Sequence, residues 1–267
     1  MPRKNAVPCR LCGRHTKEFF RAKVLLKFDV AYYCCEDCGS LQTEEPYWLD
    51  EAYQTGNLIP ADAGAVARNL HSQAVVFAVS RILRMPQNTT VLDFGGGNGL
   101  LCRLLRDRGF NARVLDAYAV NDFAMGFDDN GSNYDIVCAF EVAEHFAKPR
   151  EQMGLIFERS NSVVIVGTET YEGQGADWWY ISAAGGQHVF FYSQKAMASL
   201  AAIYGYHHKS VGSVHIFCRR PFTRIESVLL SKILTSYYLR WVRCYLAYSM
   251  SFDCAANDSG LFPQATG

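Results

Sequence analysis

Four cysteines near the N-terminus have the type and spacing of a metal site. They form two Cys-x-x-Cys pairs, Cys9 with Cys12 and Cys35 with Cys38, separated by 22 residues. Such paired thiolates are typical of tetrahedral zinc sites. Cys34 lies just outside the second pair and could compete as a ligand, but the spacing favours Cys35. We therefore predict a structural zinc ion that folds a module too small to build its own core.

The same segment is locally basic, which leaves a nucleic-acid-binding ribbon as an alternative to a structural module. Its basic residues are Arg3, Lys4, Arg10, Arg14, His15, Lys17, Arg21, Lys23 and Lys27. Acidic residues return at Glu36 and Asp37, and across the chain 26 Lys and Arg residues balance 26 Asp and Glu residues. A nucleic-acid-binding protein usually carries a strongly basic face. The balance of charge therefore argues against nucleic acid as the partner.

A second chemical motif is the glycine-rich run VLDFGGGNGLLCRLL at 91–105, which contains Asp93, Gly95, Gly97 and Gly99. Glycines between a predicted strand and a predicted helix allow a tight turn and the close approach of a ligand. A nucleotide-phosphate loop or a simple turn would use similar residues. The leading carboxylate, however, would repel a pyrophosphate and suits the ammonium group of a methionine moiety.

Two further carboxylates follow the next predicted strands. Asp116 comes 23 residues after Asp93, where an acidic residue can bind ribose hydroxyls, although it could also simply cap a loop. Glu141 ends the apolar strand in YDIVCAFEVAEHF, and Glu144 and His145 follow it. These residues place several polar groups at the carboxyl ends of successive strands.

In order and spacing, these motifs resemble the class I S-adenosylmethionine-dependent methyltransferases over residues 62–220. The resemblance implies that the three glycines pass under the cofactor, Asp93 orients its methionine end and Asp116 binds its ribose. Glu141 would lie beside the methyl donor, while Glu144 and His145 more often hold the start of a helix. The segment between Asp116 and the next strand is short, so the adenine contacts are less defined. The candidates there are Phe127 and Asp128.

A narrower resemblance combines the four-cysteine module with this core. The chain is similar to zinc-module methyltransferases of polysaccharide and sugar biosynthesis, and to sugar C-methyltransferases that act on nucleotide-linked keto sugars. In the latter, a Glu-His pair supplies a histidine base; here the pair is Gln187-His188, before an aromatic run. Imidazole can remove a proton near neutral pH. His188 could instead be a packing residue, and Tyr53 and Trp179 are candidates for stacking against a sugar ring.

Alternating strands and helices must position these residues. Strands are predicted at 90–94, 112–116, 134–140, 162–166, 207–211 and 214–219, and helices at 62–85, 99–108, 144–160, 194–204 and 225–251. The pattern predicts an α/β fold with a Rossmann-like, mostly parallel sheet and an antiparallel edge strand, plus a small zinc-ribbon-like module. We divide the chain into a zinc module at 1–43, a connector at 44–61, a methyltransferase domain at 62–220 and a helical extension with a tail at 221–267.

Composition and hydropathy predict the cellular location of the protein and its relation to membranes. The N-terminus lacks the apolar region of a secretory signal, and the cysteines outside the two pairs are scattered, which favours a reducing, cytoplasmic location. No stretch of the sequence predicts a transmembrane helix. The C-terminal helix has an apolar stripe and basic residues, so it could pack on the core, on a second subunit or on a membrane surface. The oligomeric state is not predicted.

These features together predict a methyltransferase that uses S-adenosylmethionine and carries Zn²⁺. The expected acceptor is a small molecule, a sugar or a nucleotide-linked sugar, with C-methylation favoured and His188, Glu141 and Tyr53 as the candidate catalytic residues. O-methylation of a sugar hydroxyl or another metabolite is the first alternative. A cofactor-binding protein without turnover, whose zinc module binds a partner, is the alternative of another class.

Overall fold

The structure is a computed structural model that describes residues 7–56, 64–86 and 88–248. Its strands are β1 (Thr16–Val24), β2 (Phe28–Cys35), β3 (Leu41–Thr43), β4 (Thr90–Phe94), β5 (Asn111–Leu115), β6 (Tyr134–Phe140), β7 (Ser160–Gly167), β8 (Phe190–Phe191), β9 (His207–Val211) and β10 (Val214–Cys218). Its α-helices are α1 (Leu49–Gly56), α2 (Ala65–Ile82), α3 (Leu100–Arg106), α4 (Pro149–Glu158), α5 (Gln194–Tyr204), α6 (Arg224–Ile233) and α7 (Ser236–Tyr248). Two short 3₁₀ helices cover Ala143–His145 and Trp179–Ile181.

The larger sheet has six strands in the order β5-β4-β6-β7-β10-β9. Strand β4 pairs in parallel with both β5 and β6, and β10 pairs antiparallel with β7 and β9. The apolar side chains of β4 and β6 are buried, as expected for parallel strands covered on both faces. The predicted α/β fold with a mostly parallel sheet and an antiparallel edge is therefore confirmed.

The chain divides into two compact units, each built from two stretches of sequence. The first unit comprises Met1–Asp62 and Ala139–Pro221, and the second comprises Ala63–Cys138 and Phe222–Gly267. These boundaries differ from the four segments expected from the sequence (1–43, 44–61, 62–220 and 221–267), whose limits remain a prediction.

A smaller sheet in the first unit contains the N-terminal strands in the order β1-β2-β3-β8. Strand β8 lies far along the chain, yet it pairs with β3 through Leu41 opposite Phe191 and Gln42 opposite Phe190. The sheet covers a buried cluster that includes Tyr32 and Trp48. The module predicted at residues 1–43 thus receives a fourth strand from residues 190–191, which the local sequence does not mark.

Two predicted helices are interrupted. The helix expected at 144–160 begins only at Pro149, because proline is well suited to the first turn of a helix and poorly suited to its interior. The helix expected at 225–251 divides into α6 and α7 at Leu234 and Thr235, where the Thr235 hydroxyl donates to the Lys232 carbonyl oxygen at 2.7 Å. Asp62, the first residue of the helix predicted at 62–85, and the tail at 249–267 lie outside the described residues. Among those residues no helix is long and apolar enough to cross a membrane.

Candidate functional site

The glycine-rich turn after β4 has the backbone conformation that glycine favours. Gly95, Gly97 and Gly99 have φ values of 71°, 57° and 83°. A β-carbon added to Gly97 would meet no atom within 4 Å, so open space faces this residue. A β-carbon on Gly96 would collide with Oδ2 of Asp93, so the backbone passes too close to that carboxylate for a larger residue. The turn thus exposes Gly97 to a ligand and covers Asp93.

Asp116 follows β5 and is bonded to the glycine turn. The Gly97 N–H donates to its Oδ2 at 2.8 Å, and the N–H groups of Tyr118 and Ala119 donate to its Oδ1, each at 2.8 Å. A carboxylate offers about four lone-pair sites, so these three bonds fix its orientation and leave capacity for another donor. A ribose hydroxyl is a donor of the required kind.

Asp93 is buried beneath the turn, with 2% of its surface exposed. Its Oδ2 has no hydrogen-bond partner among the described residues. Burial, and to a smaller extent the charge of Asp116, raises the pKa of Asp93 from 3.8 to about 7. The side chain can therefore hold a proton at neutral pH, and its place below Gly96 lets it support the turn.

The four predicted zinc ligands converge in the first unit. The Sγ atoms of Cys9 and Cys38 are 3.7 Å apart, those of Cys12 and Cys35 are 3.5 Å apart, and all four lie within 4.8 Å of one another. A tetrahedron of thiolates about 2.3 Å from zinc has sulfur–sulfur separations of about 3.8 Å. The cluster therefore fits a zinc ion, and Cys34 is outside it.

A second polar cluster lies in the first unit around Glu144, which is fully buried. Its Oε2 accepts a hydrogen bond from the Thr168 hydroxyl at 3.0 Å, and that hydroxyl lies 3.1 Å from the hydroxyl of Tyr180. The second oxygen, Oε1, has no hydrogen-bond partner among the described residues and lies 4.0 Å from Nε2 of His145. Thr168 and Tyr180 were not singled out from the sequence, because a hydroxyl group carries no pattern that marks it as a partner of a distant carboxylate.

His188 completes this cluster. Its ring lies 4.9 Å from that of His145 in an edge-to-face arrangement, and ligand atoms of Glu144, His145 and His188 all lie within 4.8 Å of one another. Nδ1 of His188 is 2.7 Å from the Tyr180 carbonyl oxygen. A carbonyl oxygen only accepts, so Nδ1 carries the proton and Nε2 of the neutral ring keeps its lone pair. Burial lowers the pKa of His145, which favours its neutral form.

The N-terminal module and the connector that follows it fix the segment that carries His188. The Val189 carbonyl oxygen accepts hydrogen bonds from Nη2 of Arg10 at 2.5 Å and from the Thr43 N–H at 3.1 Å. Trp48 donates from its indole to the Gly186 carbonyl at 2.8 Å, and the Ser193 hydroxyl donates to the Cys38 carbonyl. The cysteine cluster and the histidine segment are therefore parts of one hydrogen-bonded structure.

The other predicted site residues are placed as follows. Glu141 lies directly after β6, is exposed and has a φ of 56°, an uncommon conformation that is frequent at functional sites. Tyr53 is half-buried on α1, and Trp179 is 72% exposed. Phe127 is 8% exposed and is covered by the Arg106 guanidinium, 3.3 Å from the ring centroid. Their roles remain predictions.

A model of the methyltransferase domain family matches residues 68–210, which is more than half of the chain. The chain therefore belongs to the methyltransferase domain family. This match confirms the assignment to the S-adenosylmethionine-dependent methyltransferases that the motifs indicated. No curated protein matches the sequence.

Several solved methyltransferases are similar in fold. Magnesium protoporphyrin IX methyltransferase from Synechocystis is 12% identical, with 65% of this chain and 95% of that chain covered and a TM-score of 0.44. A 1,6-didemethyltoxoflavin N1-methyltransferase from Burkholderia thailandensis is 13% identical (71% and 93% covered, TM-score 0.44). A sugar N-methyltransferase from a Streptoalloteichus species is 12% identical (65% and 93% covered, TM-score 0.41). The assignment to the methyltransferases rests on the family match and not on these structural similarities.

Proposed function

We propose that this protein transfers the methyl group of S-adenosylmethionine to a carbon atom of a small, carbohydrate-linked acceptor, such as a nucleotide-linked keto sugar. The observation that carries the proposal is the fixed orientation of His188, whose Nδ1–H donates to the Tyr180 carbonyl oxygen. The compartment in which the reaction occurs is proposed to be the cytoplasm, on the composition alone.

The donor side of the proposal rests on the glycine turn and Asp116. The open space at Gly97 and the remaining capacity of the Asp116 carboxylate suit a cofactor that lies on the turn and donates ribose hydroxyls. Asp93 would support the turn from below, and Glu141 would contact the cofactor after β6. The sulfonium group of the bound cofactor supplies the reactivity, and the protein holds the acceptor in line for displacement.

The acceptor side rests on His188 as a base. Nε2 of the neutral ring can take a proton from the carbon beside a ketone, because the Tyr180 carbonyl fixes the tautomer. The imidazolium that results would be stabilised by the carboxylate of Glu144, which belongs to the same cluster. Tyr53 and Trp179 would form part of the surface that receives the sugar ring.

We also propose that Cys9, Cys12, Cys35 and Cys38 hold one structural zinc ion. The sulfur separations support four thiolate ligands, which close the coordination shell and leave no position for a substrate. The role of this ion is to fold the N-terminal strands against the segment that carries His188.

The test of carbon methylation is hydrogen exchange in deuterated water with a nucleotide-linked 4-keto sugar. Wild type should incorporate deuterium at the carbon beside the ketone, and His188→Ala should reduce the rate by about 10²–10⁴-fold, the usual contribution of a positioned base. His207→Ala, at an exposed position on β9, is the matched control and should exchange like wild type. Equal exchange in wild type and His188→Ala would contradict the role of His188. Binding of the cofactor product without methylation of any tested acceptor would favour a cofactor-binding protein without turnover.

Methylation of a hydroxyl oxygen is the second candidate, and one observation favours it. Glu144, His145 and His188 offer one carboxylate and two imidazoles within 4.8 Å, a donor set that suits a divalent transition metal. Such an ion would lower the pKa of an acceptor hydroxyl and leave no need for carbon deprotonation. Methyl transfer that requires added Zn²⁺ or Mn²⁺, without deuterium uptake at carbon, would favour this candidate over the first.

A further inference from the structure

A groove of about 480 Å³ in the second unit lies between helices α2, α3 and α7, and the proposed reaction does not use it. Leu70 on α2, Leu104 on α3 and Ala247 on α7 form part of its walls. Arg240 and Arg243 line the groove from α7, and their spacing of three residues makes them neighbours on that helix. The volume is in the range of small-molecule pockets, which are mostly apolar with a few polar groups that orient the ligand.

The walls of the groove are fixed by packing and by hydrogen bonds. Helix α2 packs against both α3 and α7. The side-chain amide of Gln73 donates to the Leu104 carbonyl oxygen at 2.7 Å, which joins α2 to α3. The Arg108 guanidinium donates to the Leu246 carbonyl oxygen, which joins the end of α3 to α7. The groove is therefore formed by the fold of the second unit itself.

The charge along the groove is positive. The sequences of α2, α3 and α7 contain no acidic residue. Asp107, at the end of α3, also lines the groove, but its carboxylate is paired with Arg103. Burial, and to a smaller extent the charge of Arg243, lowers the pKa of His71, so this guanidinium lies close to α2. Neither Arg240 nor Arg243 has a hydrogen-bond or ion-pair partner among the described residues, which leaves both for a ligand.

We propose that this groove binds a soluble phosphate monoester that carries an aliphatic group. Two neighbouring guanidinium groups match the double negative charge and the acceptor oxygens of a phosphate monoester. The aliphatic group would lie on Leu70, Leu104 and Ala247, which offer apolar surface without aromatic rings. The inference does not depend on the proposed reaction, because no residue that lines the groove belongs to the glycine turn or to the histidine cluster.

The composition of the groove favours this ligand over simpler or larger ones. Inorganic phosphate and a nucleic acid backbone would use the two arginines but would leave the apolar walls exposed to water. An uncharged aliphatic molecule would cover the walls but would remove water from the guanidinium groups without replacing its hydrogen bonds. A ligand that has both parts pairs the charges and covers the apolar surface.

The test is calorimetry of the full chain with alkyl phosphates, used below the concentration at which they form micelles. Octyl phosphate should bind, and affinity should rise from butyl to octyl phosphate by up to about four-fold per methylene, the effect of removing one CH₂ group from water. Inorganic phosphate and octanol each carry only one part of the ligand. Both should therefore bind at least about ten-fold more weakly than octyl phosphate.

Variants separate the two parts of the groove. Arg240→Gln and Arg243→Gln should each weaken the binding of octyl phosphate about ten-fold, because each removes a charged hydrogen-bond donor. Ala247→Trp should fill the groove and weaken octanol and octyl phosphate alike. The matched controls are Arg224→Gln on α6 and Ala202→Trp on α5, both at exposed positions outside the groove, and they should bind like wild type.

Binding of S-adenosylhomocysteine is measured on every variant, so that unfolding or a failure of the cofactor site is recognised separately. The variants in the groove should bind it like wild type. The proposal is overturned if octyl phosphate does not bind wild type, if inorganic phosphate or octanol binds as tightly as octyl phosphate, or if the variants at Arg240, Arg243 and Ala247 bind octyl phosphate like wild type.

Discussion

Replacing Arg10 by Met tests whether the zinc module positions His188. Arg10 lies between Cys9 and Cys12, two of the proposed zinc ligands, but its side chain points to the histidine segment, where Nη2 donates to the Val189 carbonyl at 2.5 Å. Burial lowers the pKa of the guanidinium to about 10, so it remains charged at neutral pH. Its backbone N–H donates to the Gln42 side chain, and the substitution leaves that bond intact.

The size of the effect follows from the bonds that are lost. A hydrogen bond to a charged group contributes about 1.5–3 kcal/mol. Without Arg10, the Val189 carbonyl would keep only the neutral donors of Thr43. Nε and Nη1 of Arg10 are buried without partners among the described residues, so the substitution also removes an unfavourable desolvation. We therefore expect a loss of about 1.5 kcal/mol in unfolding free energy, or about 3 °C in Tm. A displaced His188 should lower the carbon exchange rate about ten- to hundred-fold.

The assay compares Arg10→Met with Arg14→Met, a matched change at an exposed position of the same module. Zinc content, unfolding free energy, binding of S-adenosylhomocysteine and deuterium exchange are measured on both. We expect Arg10→Met to keep its zinc and its cofactor binding while losing stability and exchange rate. Unchanged exchange at reduced stability would refute the positioning of His188 by the module, and loss of zinc would mean that Arg10 acts on the metal site instead.

Three further results are expected. Cys38→Ser should lose the zinc ion whereas Cys34→Ser should keep it, as measured by elemental analysis; retention of zinc in the first variant would be inconsistent with the ligand set. Gly97→Arg should fill the open side of the turn and so weaken S-adenosylhomocysteine binding, and Asp116→Ala should weaken it by about 1.5–3 kcal/mol. Unchanged affinities of both variants in calorimetry would contradict the cofactor site. The pKa of Asp93 is raised from 3.8 to about 7 in the folded protein, so the stability of wild type should fall as pH rises between these values. Asp93→Asn does not titrate, and its stability advantage over wild type should therefore grow to the order of 4 kcal/mol above pH 7. Melting temperatures of the two proteins that change in parallel with pH would contradict the raised pKa.

Local sequence patterns predict the parts of the molecule that depend on neighbouring residues. The two Cys-x-x-Cys pairs are brought together, because each pair already has the geometry of half a zinc site. The glycines after β4 adopt the conformations that their spacing indicated, and Asp116 lies against the same turn. Such features follow from residue type and short separations along the chain.

Contacts between distant segments are not marked by the sequence in this way. Strand β8 is only two residues long, too short for a recognisable alternation, and its pairing with β3 depends on the whole first unit. Arg10 was interpreted as part of a basic segment, whereas its guanidinium is buried against Val189 and Phe190. The partners of Glu144 were missed for the same reason, since Thr168 and Tyr180 reach it only in the folded chain.

The late position of β8 affects how the protein can be synthesised. Residues of β1, β2 and the zinc ligands leave the ribosome first, and domains generally begin to fold in that order. The edge of β3 stays unpaired until Phe190 and Phe191 have emerged, and an unpaired strand edge invites pairing with other chains. A nascent chain that stops before residue 190 therefore carries a sheet with an open β3 edge, so the N-terminal module finishes folding only after residues far along the chain have been made.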